Sequence, residues 1–131
     1  MDRMDEISTY RDLVKDNIEY DYLRLDCREE SDREQIDEIY ELICEVVCMT
    51  DGTVRIGGQN MPYQIVKSMF LKLRRYHIEY MIESMKKTIT EVRNMHAYLI
   101  TALFRAPQTF QSNLDQRVRH DMYAYAERMQ A

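Results

Sequence analysis

The chain has no tryptophan, three glycines, two prolines and three cysteines in 131 residues. Each shortage excludes something. So few chain breakers leave long stretches in which helices can run. An odd number of cysteines with no CxxC pair argues against a disulfide framework, so Cys27, Cys44 and Cys48 read as reduced structural thiols. Cys44 and Cys48 share one helix face, but no histidine stands at zinc-finger spacing, and no metal site is expected. No apolar run approaches the roughly 20 residues that a membrane span needs. The opening stretch, Met1–Thr9, is acidic and has no apolar segment, so no signal peptide is expected and the expected location is cytoplasmic. His77, His96 and His120 are scattered, with no HExxH and no Ser/His/Asp pattern. Gly57-Gly58 belongs to neither kind of glycine-rich phosphate loop. No catalytic residues and no cofactor are expected, and the chain does not read as an enzyme.

What is present is charge, unevenly placed. The net charge of −5 hides 16 acidic and 6 basic residues in the first fifty, against 7 and 12 in the rest. Such a split leaves two readings open. Either the second half presents a basic face to nucleic acid or to an acidic partner, or the two halves neutralise each other within one fold.

Apolar residues recur at spacings of three and four along most of the chain, the mark of helices with one buried face. Tyr10, Leu13, Val14, Ile18, Tyr22 and Leu25 make the first such stripe, with a break expected near Asn17–Tyr20. Ser31 and Glu34 form a capping-box pattern ahead of a second stripe, Ile36, Ile39, Tyr40, Ile43, Val46 and Val47. Asp37, Glu38, Glu41 and Glu45 fall on its wet side. Asp51-Gly52 signals a turn. Thr53–Ile56 is short and β-branched, either an extended segment or one strand of a small hairpin, and Gly57-Gly58 is a turn needing positive φ. Asn60 and Pro62 suit the cap and first turn of a third helix, carrying Ile65, Val66, Met69, Phe70 and Leu73. A linker at Leu73–His77 leads to Ile78, Met81, Ile82 and Met85. Thr88 and Glu91 are a second capping-box candidate. Val92, Met95, Leu99, Leu103 and Ala106 then form a face that Pro107 is expected to stop. A polar loop at Gln108–Asn113 and a last helix capped by Ser112 complete the reading, with Leu114, Val118, Met122, Tyr125 and Met129 along one side.

The expected fold is therefore all-α: a compact bundle of five to six helices around one core, with a short extended segment or small hairpin near Val54–Ile56. Residues 1–9 read as a flexible acidic N-terminus, 10–107 as the helical domain, and 108–131 as a loop and terminal helix. The strongest candidate contact surface is basic: Lys67, Lys72, Arg74, Arg75, Lys86, Lys87 and Arg93, interleaved with Tyr63 and Tyr76. Phosphate contacts from such a cluster would be sensitive to salt and indifferent to sequence. The same residues also read as surface side chains paired with the acidic half.

Six segments together carry a resemblance: Asn17–Asp21, Asp32–Ile39, Val54–Gly57, Ile65–Leu73, His77–Met81 and Arg93–Phe104. As a set they resemble the C-terminal domain of replication initiator proteins of the RepA N-terminal-domain type, over roughly Tyr10 to Pro107. Such initiators belong to plasmids and integrated mobile elements of Gram-positive bacteria, and they bind origin DNA through an N-terminal winged helix that this chain lacks. The resemblance implies a helical, DnaD-like domain that recruits host replication proteins, a primase or a helicase loader, with contact to DNA as a further expectation. DnaD-like domains often carry a Tyr-x-x-x-Ile run; Tyr98 to Ala102 matches it only in part, so no DNA-binding residue is carried over. The expected function is a non-enzymatic docking module. The alternatives are direct, mostly sequence-independent nucleic-acid binding and a structural or oligomerisation role.

Overall fold

The computed structural model describes residues 2–87 and 94–130. They are mostly helical, with one small antiparallel hairpin. The first stripe forms α1 (Arg3–Ile18) and α2 (Tyr20–Leu25), separated by Glu19, whose left-handed backbone (φ 51°, ψ 53°) supplies the break expected beside Asn17. α1 begins at Arg3, so most of the segment expected to be a flexible N-terminus is helical.

α3 (Glu30–Val47) is the axis of the molecule. Ile36, Ile39, Tyr40, Ile43, Val46 and Val47 are buried as their spacing requires, and Leu42 and Cys44 join them. The helix thus buries more than one face, with α1, α2, α4 and α6 all packing on it. The capping box expected at Ser31 is not formed. The cap is Glu29, no side chain bonds the first turn, and the Ser31 hydroxyl lies 3.4 Å from the Glu29 carboxylate. The acidic residues Glu30 and Asp32 in that turn favour the helix by facing the positive end of its dipole.

The hairpin is β1 (Thr53–Ile56) and β2 (Gln59–Pro62), joined by Gly57 and Gly58, both at positive φ. Two consecutive positive-φ residues make the tight turn whose twist suits a two-residue connection. Asn60 is therefore a strand residue, not a helix cap. It pairs with Arg55, and Pro62 stands just before α4 (Tyr63–Phe70) rather than inside it. The register places Thr53 opposite Pro62 and Arg55 opposite Asn60. Proline has no N–H, and the Tyr63 amide bonds the Gly52 carbonyl at 3.1 Å. The directly bonded pairs are thus Gly52 with Tyr63, Val54 with Met61, and Ile56 with Gln59. By the alternation of antiparallel ladders, the backbone groups of Thr53 and Arg55 point away from β2.

α5 (Arg75–Lys87) buries His77, Ile78 and Met81 against α1, α2 and α6. The turn before it carries the fully buried Leu73. The capping box expected at Thr88 and Glu91 lies outside the described residues. Asn94 caps α6 (Met95–Gln130), accepting the Ala97 amide on its side-chain oxygen at 3.1 Å. Leu99, Ile100, Leu103 and Ala106 fix α6 to the core. Pro107 does not stop it, and the loop and Ser112 cap expected beyond are absent from a backbone that stays helical to Gln130. Proline removes one amide donor, but its fixed φ is itself helical, and good helix formers follow, so the helix resumes. At about 1.5 Å per residue its 36 residues span about 54 Å. Past Pro107, Met122 and Met129 of the expected stripe are exposed.

Stability should divide along α6 accordingly. Leu103→Ala should lower the unfolding free energy by about 3 kcal/mol, and Met122→Ala by less than about 0.5 kcal/mol; urea titrations followed by circular dichroism would check both.

Candidate functional site

Six of the seven basic residues in the expected contact surface are described, and Arg93 lies outside them. They come from α4, from the turn after it and from α5, but they do not form a bare patch. The Lys67 ammonium stands 4.3 Å from the centre of the Tyr10 ring. The Arg74 guanidinium turns back onto the carbonyls of Leu71 and Leu73, at 3.1 and 2.9 Å, where α4 has run out of its own donors. Arg75 pairs with Asp26, between α2 and α3, and with Glu79 one turn along α5 at 2.6 Å. Lys86 reaches Asp32 at 3.3 Å. Lys72 and Lys87 are exposed and have no ion pair among the described residues. Two of these contacts, Arg75 to Asp26 and Lys86 to Asp32, join the acidic first half to the basic second. Both lie at the surface, where such pairs contribute little to stability.

Some of the remaining acidic charge is held within the first half. The Arg11 guanidinium meets the Glu41 carboxylate with both nitrogens, at 3.1 and 2.7 Å. Asp37 accepts from the Tyr20 hydroxyl at 2.6 Å and from Arg24. These donors stabilise the ionised acids: the Tyr20 hydroxyl, then Arg24, hold Asp37 below the usual carboxylate range, and Arg11 does the same for Glu41. The Tyr20 and Tyr40 rings lie 4.8 Å apart, with Lys15 over both and Arg11 over Tyr40. The Tyr40 hydroxyl donates to the Arg11 carbonyl at 3.2 Å. These residues form a polar and aromatic seam that ties α1 and α2 to α3.

Two clefts flank this frame. One, of about 510 Å³, lies between α2, α3 and α5. Asp26, Glu29, Asp32, Glu79 and Glu83 line it against only Arg28 and Lys86, and Cys27 sits at its edge. The other, of about 840 Å³, opens between β1, the end of α3 and the start of α6. Val46, Met49, Val54 and Ile100 make its apolar floor, and Arg55, Arg105 and His96 stand around it. Neither arginine belongs to the basic cluster read from the sequence. They are fifty residues apart, and only the packing of α6 on the hairpin brings them to one groove. The Gly-Gly turn was the signal that a strand edge lay there.

The cysteines are free, and burial pushes all three thiols up, away from the reactive thiolate. Among the described residues, no group of three or more His, Cys, Asp or Glu is placed to hold a metal ion. No described helix is long and apolar enough to cross a membrane.

A family of unknown function (DUF6017) matches residues 2–125, and the chain belongs to that family. No curated protein and no solved structure matches it.

One titratable group belongs to the frame rather than to a surface. His77 is buried, and its Nδ1 accepts the Arg74 amide at 2.9 Å, capping α5. Burial, reinforced by the nearby Arg74 charge, moves its pKa below the usual 6.5. The neutral ring is thus favoured by folding. Its contribution is complete above about pH 6.5 and is lost as pH falls through the depressed folded value. Urea midpoints measured at about pH 7.5 and pH 5.5 should therefore fall more steeply for the native chain than for His77→Gln.

Proposed function

We propose that this member of the family is a non-enzymatic module of a plasmid or mobile-element replication initiator, and that it docks a host replication protein such as a primase or a helicase loader. The reading of the chain as a compact bundle of five to six helices of DnaD-like type is part of the same proposal. It is supported by the single apolar core that the described helices share. The segments that resemble the initiator domain supply much of that core, including Ile36, Ile39, Val54, Val66, Phe70, Leu73, Ile78, Leu99 and Leu103. The setting this function requires is the cytoplasm.

One observation favours a protein partner over DNA. The cations that would grip phosphates are largely engaged by the molecule itself: Arg75 and Lys86 by carboxylates, Arg74 by carbonyls, and Lys67 by a tyrosine ring. Of this cluster, Lys72 and Lys87 have no ion pair among the described residues, enough for about two phosphate contacts. Beside Arg75 the surface offers Tyr22 and Tyr76, both exposed, with the Arg75 guanidinium over the Tyr22 ring. Tyrosine and arginine are the residue types that most often carry binding energy at protein interfaces.

Titration of the domain with double-stranded DNA by fluorescence anisotropy should show weak binding, with a log–log salt slope no steeper than about −2. A slope of about −4 or steeper would mean more phosphate contacts than Lys72 and Lys87 supply and would favour the nucleic-acid alternative. Pull-down against purified host primase and helicase loader should retain one of them, and Tyr76→Ala with Lys72→Glu should reduce that retention by about tenfold or more.

A further inference from the structure

We propose that an acidic segment of the partner docks in an extended conformation as a third strand along β1, in the groove between β1 and α6. The proposal deepens the docking function and rests on it for the existence of a partner. It stands on the geometry of the hairpin and its surroundings.

The backbone supplies the first reason. The register leaves the N–H and C=O groups of Thr53 and Arg55 facing away from β2, and neither residue has a backbone bond outside the hairpin among the described residues. A row of unpaired strand groups is a template for another strand. The groove of about 840 Å³ lies along this edge: Thr53, Val54, Arg55, Gly57 and Gly58 line it, and no residue of β2 does.

Side chains supply the second reason. Val54 and Ile56 point into the core, whereas Thr53 and Arg55 point out. A strand added beside them must alternate in the same way. Its inward positions would meet the apolar floor of Val46, Met49 and Ile100, and its outward positions would lie beside Arg55. Arg105 stands at the turn end of the groove, its guanidinium against Gly57, where a Cβ would come within 2.7 Å of it. The Gly57 amide donates to the Thr101 hydroxyl at 3.2 Å, which holds the turn to α6 and keeps that end fixed. Neither arginine has a carboxylate partner among the described residues. His96 lies 3.6 Å from Glu45, so the one carboxylate lining this groove among the described residues already faces a base. Two guanidiniums without a carboxylate partner among the described residues, over an apolar floor, fit a strand that alternates acidic and apolar residues. The cleft between α2, α3 and α5 has the opposite charge and no strand edge.

The test uses the whole chain, labelled with ¹⁵N, and a capped octapeptide of alternating glutamate and valine as the probe. The expected result is a shift of the Thr53 and Arg55 amide signals, with slower hydrogen exchange at both. Replacing glutamate with lysine, or methylating alternate peptide nitrogens, should each weaken binding by about tenfold or more. Arg55→Pro should abolish binding while leaving the hairpin intact, because the lost amide faces the groove and not β2; the rest of the spectrum reports whether the fold survives. Arg105→Glu, at an exposed position, is the second variant and should weaken binding by a similar factor. The proposal is overturned if about 1 mM peptide shifts neither amide, if the methylated peptide binds as well as the parent, or if single-stranded oligonucleotide gives the same shifts. A failure of the docking function itself looks different. Should host primase or loader be retained by the native chain and equally by Arg55→Pro, docking stands and the groove is not its seat; should neither protein be retained while the peptide binds, the groove stands without that partner.

Discussion

The constraint on which the rest depends is the burial of α3 along most of its circumference. A helix with apolar residues at 36, 39, 40, 42, 43, 44, 46 and 47 cannot rest on a single neighbour. It must be enclosed, and α1, α2, α4 and α6 enclose it. The other placements follow from this. The break at Glu19 lets one continuous stripe bend into two helices that share the α3 surface. The hairpin spends Val54 and Ile56 on the core and leaves its alternate residues outside. α6 is anchored by four buried residues before Pro107.

The same enclosure governs the electrostatics. An acidic half and a basic half folded around one axis bring opposite charges together at the seams. Arg75 finds Asp26 and Lys86 finds Asp32 in this way. Glu41 and Asp37 are met by Arg11 and Arg24 from helices of the acidic half itself. Single exposed pairs of this kind contribute little stability. Their larger effect is on what the surface offers a partner, because a guanidinium already facing a carboxylate is a poor grip for phosphate. Among the described residues, the cations left without an ion pair include Lys72 and Lys87 near the ends of two helices, and Arg55 and Arg105 beside the hairpin.

Helix-period stripes made the core legible in advance. Ile36, Ile39, Tyr40, Ile43, Val66, Phe70, Ile78, Leu99 and Leu103 all lie where their spacing puts them. Turn chemistry was legible too, since only glycine accepts positive φ at two consecutive positions so readily. Helix ends were less so. Ser31 had the composition of a cap, but α3 starts two residues earlier, and Pro107 interrupts a hydrogen bond without ending a helix. The linker reading at Leu73–His77 missed that Leu73 is fully buried and that His77 caps α5, because a histidine in the first turn resembles any other polar residue until its Nδ1 is seen against the Arg74 amide. The basic cluster was legible as composition but not as surface, because ion pairing is settled by residues some fifty positions away, which no local pattern contains.

The hairpin is lopsided in a way that bears on assembly. Its β1 edge has donors and acceptors to offer, whereas Pro62 leaves the β2 edge short of a donor, and the Asn60 side chain there is already occupied by Arg55. A strand that adds to this hairpin is therefore directed to the β1 side, and ordered growth from the β2 side is disfavoured.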